Sequence, residues 1–404
     1  MNPELSPSER LARWLPILLA SWRSRRHGRS RPSAALAADE LAYAARALLR
    51  LQRGLTGERS LAGSAYMEDD ALLGAYLLYY WPVSYMQAAL LLEELRPFLP
   101  LASLRGLDLG CGPGPMAAAL ADFGAGELAL ADASRPALDL AEALLRSPRA
   151  PGDGVAPALS LQLCDLESGA ELPAGPYDLI VFGHALNELW KGEPERQKRL
   201  HGLVERASSL LSPGGILLVV EPASLAPSRE ALTLRDSLAA AGHQIVAPCP
   251  GSYACPALAA GPARTCHLDT PWTPPESLAS LAKAAGLDRQ SVKCTWFAMR
   301  PLGASVEDSI EGSRVVSDPM LNKAGRVRYF LCGEAALTTI SAHKDDGHAR
   351  DLGFFDLRRG DVISLRRAEP RSGGLGVDDE TRLVIHRRAP LPGDRHATGS
   401  RARS

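Results

Sequence analysis

The spacing of apolar residues changes near residue 99. Before it, apolar residues recur at helical intervals, as in segments 34–51 and 69–95, and this spacing predicts helices over residues 6–98. Between residues 99 and 246, short apolar runs alternate with helix-like segments. That alternation is typical of a mostly parallel sheet covered by helices on both faces. The pattern therefore predicts an α/β protein with an N-terminal helical domain.

The helical region contains two features that alter this picture. Pro82 lies inside the segment 69–95 and should kink or split that helix, because proline lacks the backbone N–H. Residues 23–31 read RSRRHGRSR, a dense basic run. This run has two interpretations, a solvated loop and a contact to RNA phosphates.

A glycine-rich turn follows the first strand-like run. The run at 104–109 leads into Gly-Cys-Gly-Pro-Gly at 110–114, and a small-residue helix start comes next. In this order, backbone N–H groups can approach a nucleotide-like ligand. The spacing alone serves NAD, FAD and S-adenosylmethionine equally. The next run ends at Asp132, whose carboxylate could accept both hydroxyls of a ribose.

The residues at the ends of later strand-like runs help to distinguish between these three ligands. The third run, 159–163, is followed by Cys164 and Asp165, and the fourth run covers 177–182. The segment LSPGGILLVVE at 211–221 gives a turn and a fifth strand. Signals in this order resemble class I S-adenosylmethionine-dependent methyltransferases. The resemblance implies cofactor-binding roles for Asp108, Gly110, Gly112 and Gly114 around the methionine part, Asp132 at the ribose and Asp165 at the adenine amino group.

The segment GHALNELW at 183–190 lies where methyltransferases place groups that face the methyl acceptor. His184, Asn187 and Glu188 are candidates there, and we predict Asn187 and Glu188 as the catalytic pair that orients the acceptor or takes its proton. The segment has neither the Asn/Asp-Pro-Pro-Tyr signature of amino-group methylation nor a Pro-Cys nucleophile. Asn187 and Glu188 could instead cap the next helix.

Charge and hydropathy limit the possible partners. The net charge of −1 over 404 residues means that any nucleic-acid contact must come from local patches. The apolar stretch 14–22 contains Pro16 and is too short to span a bilayer. Glu4 and Glu9 lie where targeting signals avoid acidic residues. We therefore expect no membrane partner and a cytoplasmic, bacterial protein, with the mitochondrial matrix as the alternative.

Seven cysteines make an odd count, which argues against a complete disulfide framework. Three of them lie at C-x5-C-x10-C spacing in the segment 247–272, among prolines and glycines. Thiolate sets of this kind serve zinc or an iron–sulfur cluster, and His267 could replace one ligand of a zinc ion. Of the four cysteines outside this segment, three are predicted to be structural: Cys111, Cys164 and Cys294.

Two strand-like runs follow the cysteine segment, at 292–299 and 325–332. They are predicted to form the antiparallel hairpin that closes the edge of the sheet, which would make the cysteine segment an insertion beside it. The second run ends in a cysteine, so four thiolates could converge: Cys249, Cys255, Cys266 and Cys332.

The motifs YWPVSY, LDLGCGPG, YDLIVFGHALNEL, APCPGSYACP and RVVSDPMLNKAGRVRYFLC together resemble the Rsm22 family, over about residues 70–335. This family is the methyltransferase-like protein of the mitochondrial small ribosomal subunit, with its bacterial relatives. The resemblance implies a class I methyltransferase (Rossmann-like) seven-stranded sheet and a [4Fe-4S] cluster on Cys249, Cys255, Cys266 and Cys332. It also implies partnership with the small ribosomal subunit or its precursor and with rRNA, in ribosome assembly and translation.

These patterns predict four domains: a helical domain at 1–98, an S-adenosylmethionine-binding domain at 99–335 with the insertion 247–272, a small basic β extension at 336–388 and a disordered tail at 389–404. Six arginines could form a basic face beside the cysteine site, although solvated edge strands explain them equally. They are Arg326, Arg328, Arg358, Arg359, Arg366 and Arg367.

Three functions stay open on the sequence. The first is an S-adenosylmethionine-dependent methyltransferase acting on small-subunit rRNA. The second is a non-catalytic assembly factor that binds precursor RNA and uses the cofactor and cluster structurally. The third is a small-molecule methyltransferase with a zinc loop.

Overall fold

A computed structural model describes residues 5–28, 35–57, 61, 64–100, 103–148, 156–301, 312–334 and 336–395. The chain divides into two compact units. Unit one comprises Met1–Gly215, Thr270–Val292 and Pro390–Ser404, and unit two comprises Ile216–Asp269 and Lys293–Ala389. Within the described ranges, no helix is long and apolar enough to cross a membrane.

The α-helices of the described residues are α1 (Pro7–His27), α2 (Ala38–Gln52), α3 (Asp70–Ala75), α4 (Trp81–Leu95), α5 (Pro115–Asp122), α6 (Arg135–Leu145), α7 (Arg196–Ser208), α8 (Leu225–Ala240), α9 (Pro256–Ala259), α10 (Glu276–Ala284) and α11 (Gly347–Asp351). Short 3₁₀ or π turns lie at Arg53–Gly57, Ser64–Glu68, Tyr76–Tyr80, Arg96–Phe98 and Phe354–Asp356.

The strands of the same residues are β1 (Leu104–Leu109), β2 (Ala125–Asp132), β3 (Ala158–Leu163), β4 (Tyr177–Gly183), β5 (Leu211–Glu221), β6 (Gln244–Ala247), β7 (Leu268–Pro271), β8 (Ser291–Arg300), β9 (Ser313–Val315), β10 (Met320–Leu321), β11 (Arg326–Cys332), β12 (Leu337–His343), β13 (Val362–Arg366), β14 (Glu369–Arg371), β15 (Gly374–Gly376) and β16 (Arg382–Arg387).

The helix predicted over 69–95 is split, as Pro82 led us to expect. It consists of α3, a π-helical turn at Tyr76–Tyr80, and α4, which has Pro82 in its first turn. The π-helical turn before α4 interrupts the regular hydrogen-bond ladder, which accommodates the missing N–H of Pro82. The break places the tyrosine-rich turn between two helices.

The basic run 23–31 is not a simple solvated loop. Its first residues continue α1, and Arg23 is buried, donating to Glu40 Oε1 at 2.9 Å and Glu40 Oε2 at 2.8 Å. Arg26 lies over the ring of Tyr43, 3.9 Å from its centroid. Arg23 is therefore unavailable to RNA phosphates. Residues 29–31 lie outside the described residues.

Unit one contains a four-stranded parallel arrangement in the order β3-β2-β1-β4. Leu109 of β1 pairs with Ala131 of β2 and with Phe182 of β4. The carboxyl ends of these strands are therefore level, and the segments that follow them meet at one edge. This is an α/β arrangement of parallel strands and helices, which agrees with the α/β part of the predicted fold class.

In unit two, β8 pairs antiparallel with β5 and with β6. A second sheet has the order β14-β15-β12-β11-β9-β13-β16, with β10 beside β11. One of its faces packs a core that includes Tyr329, Leu331 and Phe354. The fold thus has mixed sheets together with helices.

The predicted hairpin between 292–299 and 325–332 is wrong. β8 covers the first run and pairs with β5 and β6, whereas β11 covers the second and pairs with β9, β10 and β12. Alternate residues of β11, Tyr329 and Leu331, enter the core of the second sheet. Strand patterns identify strands but not their partners, and here this separate core decides the pairing.

The predicted tail 389–404 makes contacts in its first part. Ser8 N donates to the Pro392 carbonyl at 2.9 Å, and Arg395 pairs with Glu9. Residues 396–404 lie outside the described residues.

Candidate functional site

The glycine turn has the geometry that its sequence predicts. Gly110, Gly112 and Gly114 have φ values of +71°, +51° and +73°, a region that favours glycine. A Cβ on Gly110 would lie 2.5 Å from Ala185 Cβ, so a side chain there would clash. The turn therefore brings its backbone close to the segment after β4.

Asp108 closes the glycine turn onto the next helix. It is fully buried, and its Oδ2 accepts from Ala117 N, in the first turn of α5, at 3.1 Å. Its Oδ1 is buried with no hydrogen-bond partner among the described residues. Burial, reinforced by the charge of Asp132, raises the pKa of Asp108 to about 7. The residue has a structural contact and one oxygen left for a ligand.

Asp132 links the glycine turn to the start of α6. Its Oδ2 accepts from Gly112 N at 2.7 Å, and its Oδ1 accepts from Ser134 N at 2.8 Å. Burial raises its pKa, and the charge of Glu68 adds to that rise. Each carboxylate oxygen has more than one lone pair, so these backbone contacts are compatible with further hydroxyl donors.

Residues on both sides of α3 pack against the glycine turn and the start of α6, which the sequence did not predict. Ser134 Oγ donates to Glu68 Oε1 at 2.9 Å, and Trp81 Nε1 donates to the Pro113 carbonyl at 2.9 Å. A Cβ on Gly112 would lie 3.4 Å from Met67 Cε. We call Tyr66, Met67, Glu68 and Tyr76 the roof. The concentration of aromatic residues at 76–81 was the available signal for it.

The roof tyrosines lie among carboxylates. The Tyr66 and Tyr76 rings are 6.4 Å apart. Burial raises the pKa of both hydroxyls, and the charges of Glu188 and Asp132 raise it further. The charges of Glu188 and Asp132, predicted from separate segments, thus both act on the roof tyrosines. Aromatic rings combined with carboxylates favour a cationic ligand.

Asp165 follows the end of β3 at the same edge, since Leu163 pairs with Asp132 in the parallel register. It is exposed, and its Oδ1 accepts from Glu167 N at 2.9 Å, which makes a local turn. Its predicted contact with an adenine amino group stays a prediction.

The candidate acceptor segment forms a series of turns after β4. Asn187 Nδ2 donates to the His184 carbonyl at 2.7 Å, and Glu188 N donates to the Ala185 carbonyl at 3.0 Å. The alternative that Asn187 and Glu188 cap the next helix is wrong, because α7 begins at Arg196 and has Glu195 at its N-cap.

His184 is neutral in this arrangement. Its φ is +62°, and its Nε2 lies 2.7 Å from Gln87 Oε1. Burial, together with the positive charge of Arg289, lowers its pKa to about 4. A neutral imidazole fixed by an amide is suited to positioning a neighbouring group.

The four predicted cysteine ligands all belong to unit two. Cys249 follows β6, Cys255 is the N-cap of α9, Cys266 precedes β7 and Cys332 ends β11. All are free thiols. Cys255 is buried in a small apolar cluster with Leu232, and Cys266 packs against that cluster.

These four thiols act on one another electrostatically. Burial raises the pKa of Cys332, and the charges of Cys249, Cys266 and Cys255 raise it further. Burial and then Cys249 and Cys255 raise the pKa of Cys266 to about 12. The convergence of all four on one cluster stays a prediction. Over the described ranges, no group of three or more His, Cys, Asp or Glu side chains is arranged to hold a metal ion.

Two arginines of the predicted basic face, Arg328 and Arg366, lie towards opposite ends of the second sheet. Cys332 is level with Arg314 of β9, which is level with Val362 of β13. β11 and β13 run parallel, since each is antiparallel to β9. Arg328 lies four residues before this level and Arg366 four residues after it, which is a separation of about 27 Å. Both share the face of Cys332 by strand alternation.

A protein-family model matches this chain. The family model described as "Mitochondrial small ribosomal subunit Rsm22" matches residues 72–349, more than half of the chain. The chain belongs to the Rsm22 family. In this Rsm22-family chain the match includes the glycine turn and all four cysteines, but Tyr66, Met67 and Glu68 lie before it. None of the curated proteins matches the chain.

Several solved structures are similar to this Rsm22-family chain. A SAM-dependent methyltransferase from Leishmania major is 15% identical, with a TM-score of 0.37, over 64% of this chain and 83% of that one. Magnesium protoporphyrin IX methyltransferase from Synechocystis is 14% identical, with a TM-score of 0.35, over 63% and 97%. A ribosomal protein L11 methylase from Lactobacillus delbrueckii is 18% identical, with a TM-score of 0.31, over 54% and 78%.

Proposed function

We propose that this chain is an S-adenosylmethionine-dependent methyltransferase that acts on rRNA of the small ribosomal subunit and supports ribosome assembly and translation. The observation that carries the proposal is the carboxyl edge of the parallel strands in unit one, where the glycine turn lies with Asp108 and Asp132 below the roof. Its location would follow the ribosome, in the bacterial cytoplasm or the mitochondrial matrix.

The charge of this edge favours a sulfonium over a diphosphate. Asp108 and Asp132 act on each other, Glu68 acts on Asp132, and Glu188 acts on Tyr66. Carboxylates attract a cation and repel the pyrophosphate of NAD or FAD. Tyrosine rings add attraction for a positive sulfur through their quadrupole. Of the ligands that share the glycine-turn spacing, S-adenosylmethionine fits best.

When bound, S-adenosylmethionine supplies a methyl group activated by the positive sulfur. The acceptor atom forms a bond to the methyl carbon as the carbon–sulfur bond breaks, and the electron pair stays on sulfur. Holding the acceptor in line supplies most of the rate effect. Glu188 would take the acceptor's proton, and Asn187, held by the His184 carbonyl, would orient the acceptor.

The cysteine site fits a [4Fe-4S] cluster in the chemistry of its donors. Four free thiols influence one another, and the charges of Arg314 and Arg359 lower the pKa of Cys266 against its burial. Arg235 acts on Cys332 in the same direction. Cationic side chains compensate the negative charge that four thiolates bring to a cluster. Cys249, Cys255, Cys266 and Cys332 would hold the cluster. Zinc is the alternative.

The second candidate function is a non-catalytic assembly factor. The acceptor segment lacks the signatures of amino-group and carbon methylation. Arginines at both ends of the second sheet also suit the binding of phosphates without chemistry. Arg366 lies directly opposite Arg382 in the antiparallel register, and such a like-charged pair is more stable beside a polyanion.

The decisive experiment compares cells that lack this chain with cells that carry it. We expect the chain to crosslink to small-subunit rRNA, and deletion to remove a methyl mark from that RNA. Restoring Glu188→Gln should restore the crosslinks but not the mark, because the proton acceptor is lost. Crosslinks without any lost mark would select the assembly factor, and absence of both would reject an rRNA function.

The roof makes its own prediction for cofactor binding. Replacing Glu68 by alanine removes a carboxylate from the edge and frees Ser134 Oγ, so the affinity for S-adenosylmethionine should fall about tenfold. Isothermal titration calorimetry measures this change. Glu127→Ala is the matched control, because Glu127 pairs with Arg105 on the exposed part of β2. Equal affinities of the Glu68 variant and the unaltered chain would remove Glu68 from the site.

A further inference from the structure

Two buried hydrogen-bond donors beside the four cysteines have no acceptor. Arg235 Nε and the Tyr253 hydroxyl are both buried and lack a partner among the described residues. The Arg235 side chain is 1% exposed. Burying such donors without an acceptor costs free energy, so native proteins rarely leave them unpaired. Both donors therefore indicate an acceptor that belongs in their surroundings.

α8 holds Arg235 in a fixed position. Its Nη2 donates to the Gly251 carbonyl at 2.8 Å, and its Nη1 donates to the Tyr253 carbonyl and to Asp236 Oδ1. Asp236 in turn accepts from Cys255 N at 2.9 Å. The guanidinium thus braces the backbone between Cys249 and Cys255, while Nε stays outside these contacts.

Hydrogen bonds and chain position place both donors at the segment that carries Cys249 and Cys255. Burial opposes the charge of Arg235, yet the thiolates of Cys249 and Cys255, with Asp236, raise its pKa. Tyr253 lies four residues after Cys249 and two residues before Cys255. One donor therefore belongs to the cysteine segment itself, and the other is bonded to two backbone carbonyls of that segment.

We propose that the Tyr253 hydroxyl and the Arg235 Nε–H donate hydrogen bonds to sulfur atoms of the [4Fe-4S] cluster and thereby raise its reduction potential. Donors and positive charge stabilise the more negative, reduced cluster. The inference rests on the proposed cluster. It assigns the two residues as positioning and tuning groups, separate from the cysteine ligands.

The test is a reduction-potential measurement on the full chain. The protein is purified anaerobically, its iron and sulfide are counted, and it is titrated with dithionite while the reduced cluster is followed by electron paramagnetic resonance. Tyr253→Phe should move the potential to a more negative value. Arg235→Gln should move it further because it also removes a charge, and Arg235→Lys should lie between Arg235→Gln and the unaltered chain.

Two controls separate tuning from general disturbance. Tyr329→Phe removes a hydroxyl on the opposite face of β11, and Arg371→Gln removes an equal charge from the edge strand β14. Both should keep the original potential. Potentials of Tyr253→Phe and Arg235→Gln equal to that of the unaltered chain would overturn the inference. An unaltered chain without iron and sulfide would instead reject the cluster itself.

A vibrational measurement tests the same hydrogen bonds when one of the two variants fails to retain its iron. Resonance Raman spectra of the unaltered chain in H₂O and D₂O should differ in the iron–sulfur stretching bands, because donors to sulfur carry exchangeable protons. The difference should be smaller in whichever of Tyr253→Phe or Arg235→Lys retains its cluster. Bands that do not respond to D₂O would also overturn the inference.

Discussion

Replacing Cys332 by serine should strip the iron–sulfur chromophore from anaerobically purified protein, with a loss of iron of more than about tenfold. The reason is that the four predicted ligands come from two separate parts of the chain. Three cysteines come from the segment 247–272, whereas Cys332 ends β11 of the second sheet. Without the fourth thiolate, the segment would have to hold the cluster with three ligands.

The same substitution should lower the free energy of unfolding of unit two. Ligand binding that exists only in the folded chain adds directly to its stability. The cluster would join the segment around Cys249 and Cys255 to β11, so its loss should loosen that segment. Urea unfolding followed by circular dichroism, with and without iron and sulfide, measures this coupling.

Cys294→Ala is the matched control for both measurements. Cys294 is a buried free cysteine of β8 in the same unit, and it does not belong to the predicted ligand set. It should keep its iron. Full iron content in the Cys332→Ser chain would contradict the ligand assignment. A colourless unaltered chain that contains one zinc ion per protein would replace the cluster with the zinc alternative.

The sequence predicted the parts of the site that are encoded locally. Glycines with positive φ at Gly110, Gly112 and Gly114 follow a buried strand, and only glycine adopts these angles without cost. Acidic residues at strand ends meet at one edge, because a parallel sheet aligns its carboxyl ends. Asp132 and Asp165 therefore lie at the ends of neighbouring strands at the same edge, whereas the joint role of Asp132 and Glu188 stays a prediction.

The sequence did not predict contacts that depend on tertiary packing. Glu68 reaches Ser134 because a 3₁₀ turn packs on the glycine turn, and helical periodicity carries no information about that contact. The predicted pairing of β11 with β8 was wrong for a similar reason, since strand patterns do not specify which strands are neighbours. Arg23 read as part of a basic run, but its buried ion pair with Glu40 depends on how α1 and α2 meet.

Replacing Asp108 by asparagine should have opposite effects on stability and on ligand binding. Burial raises the pKa of Asp108 to about 7 from an ordinary value of 3.8. Between these two values the folded chain holds a proton that the unfolded chain has released. The contribution of Asp108 to stability is therefore complete below about pH 4, and it is lost as the pH rises towards 7.

Asparagine resembles the protonated carboxyl group and does not ionise. Without ligand, the Asp108→Asn chain should nearly match the unaltered chain at pH 4 and exceed its free energy of unfolding by ~4 kcal/mol at pH 8. Its amide oxygen can still accept from Ala117 N. Urea unfolding at a series of pH values measures the difference. Part of the pH dependence should remain, because burial also raises the pKa of Asp132.

The affinity of the Asp108→Asn chain for S-adenosylmethionine should fall, although its stability rises. At pH 8 the ionised Asp108 contributes negative charge beside a cationic ligand, and its Oδ1 is the oxygen without a partner among the described residues. Asp108→Asn should therefore weaken S-adenosylmethionine binding by more than about tenfold. Asp139→Asn, on the exposed side of α6, should change neither quantity. A variant that gained stability at pH 8 with undiminished affinity would restrict Asp108 to closing the glycine turn.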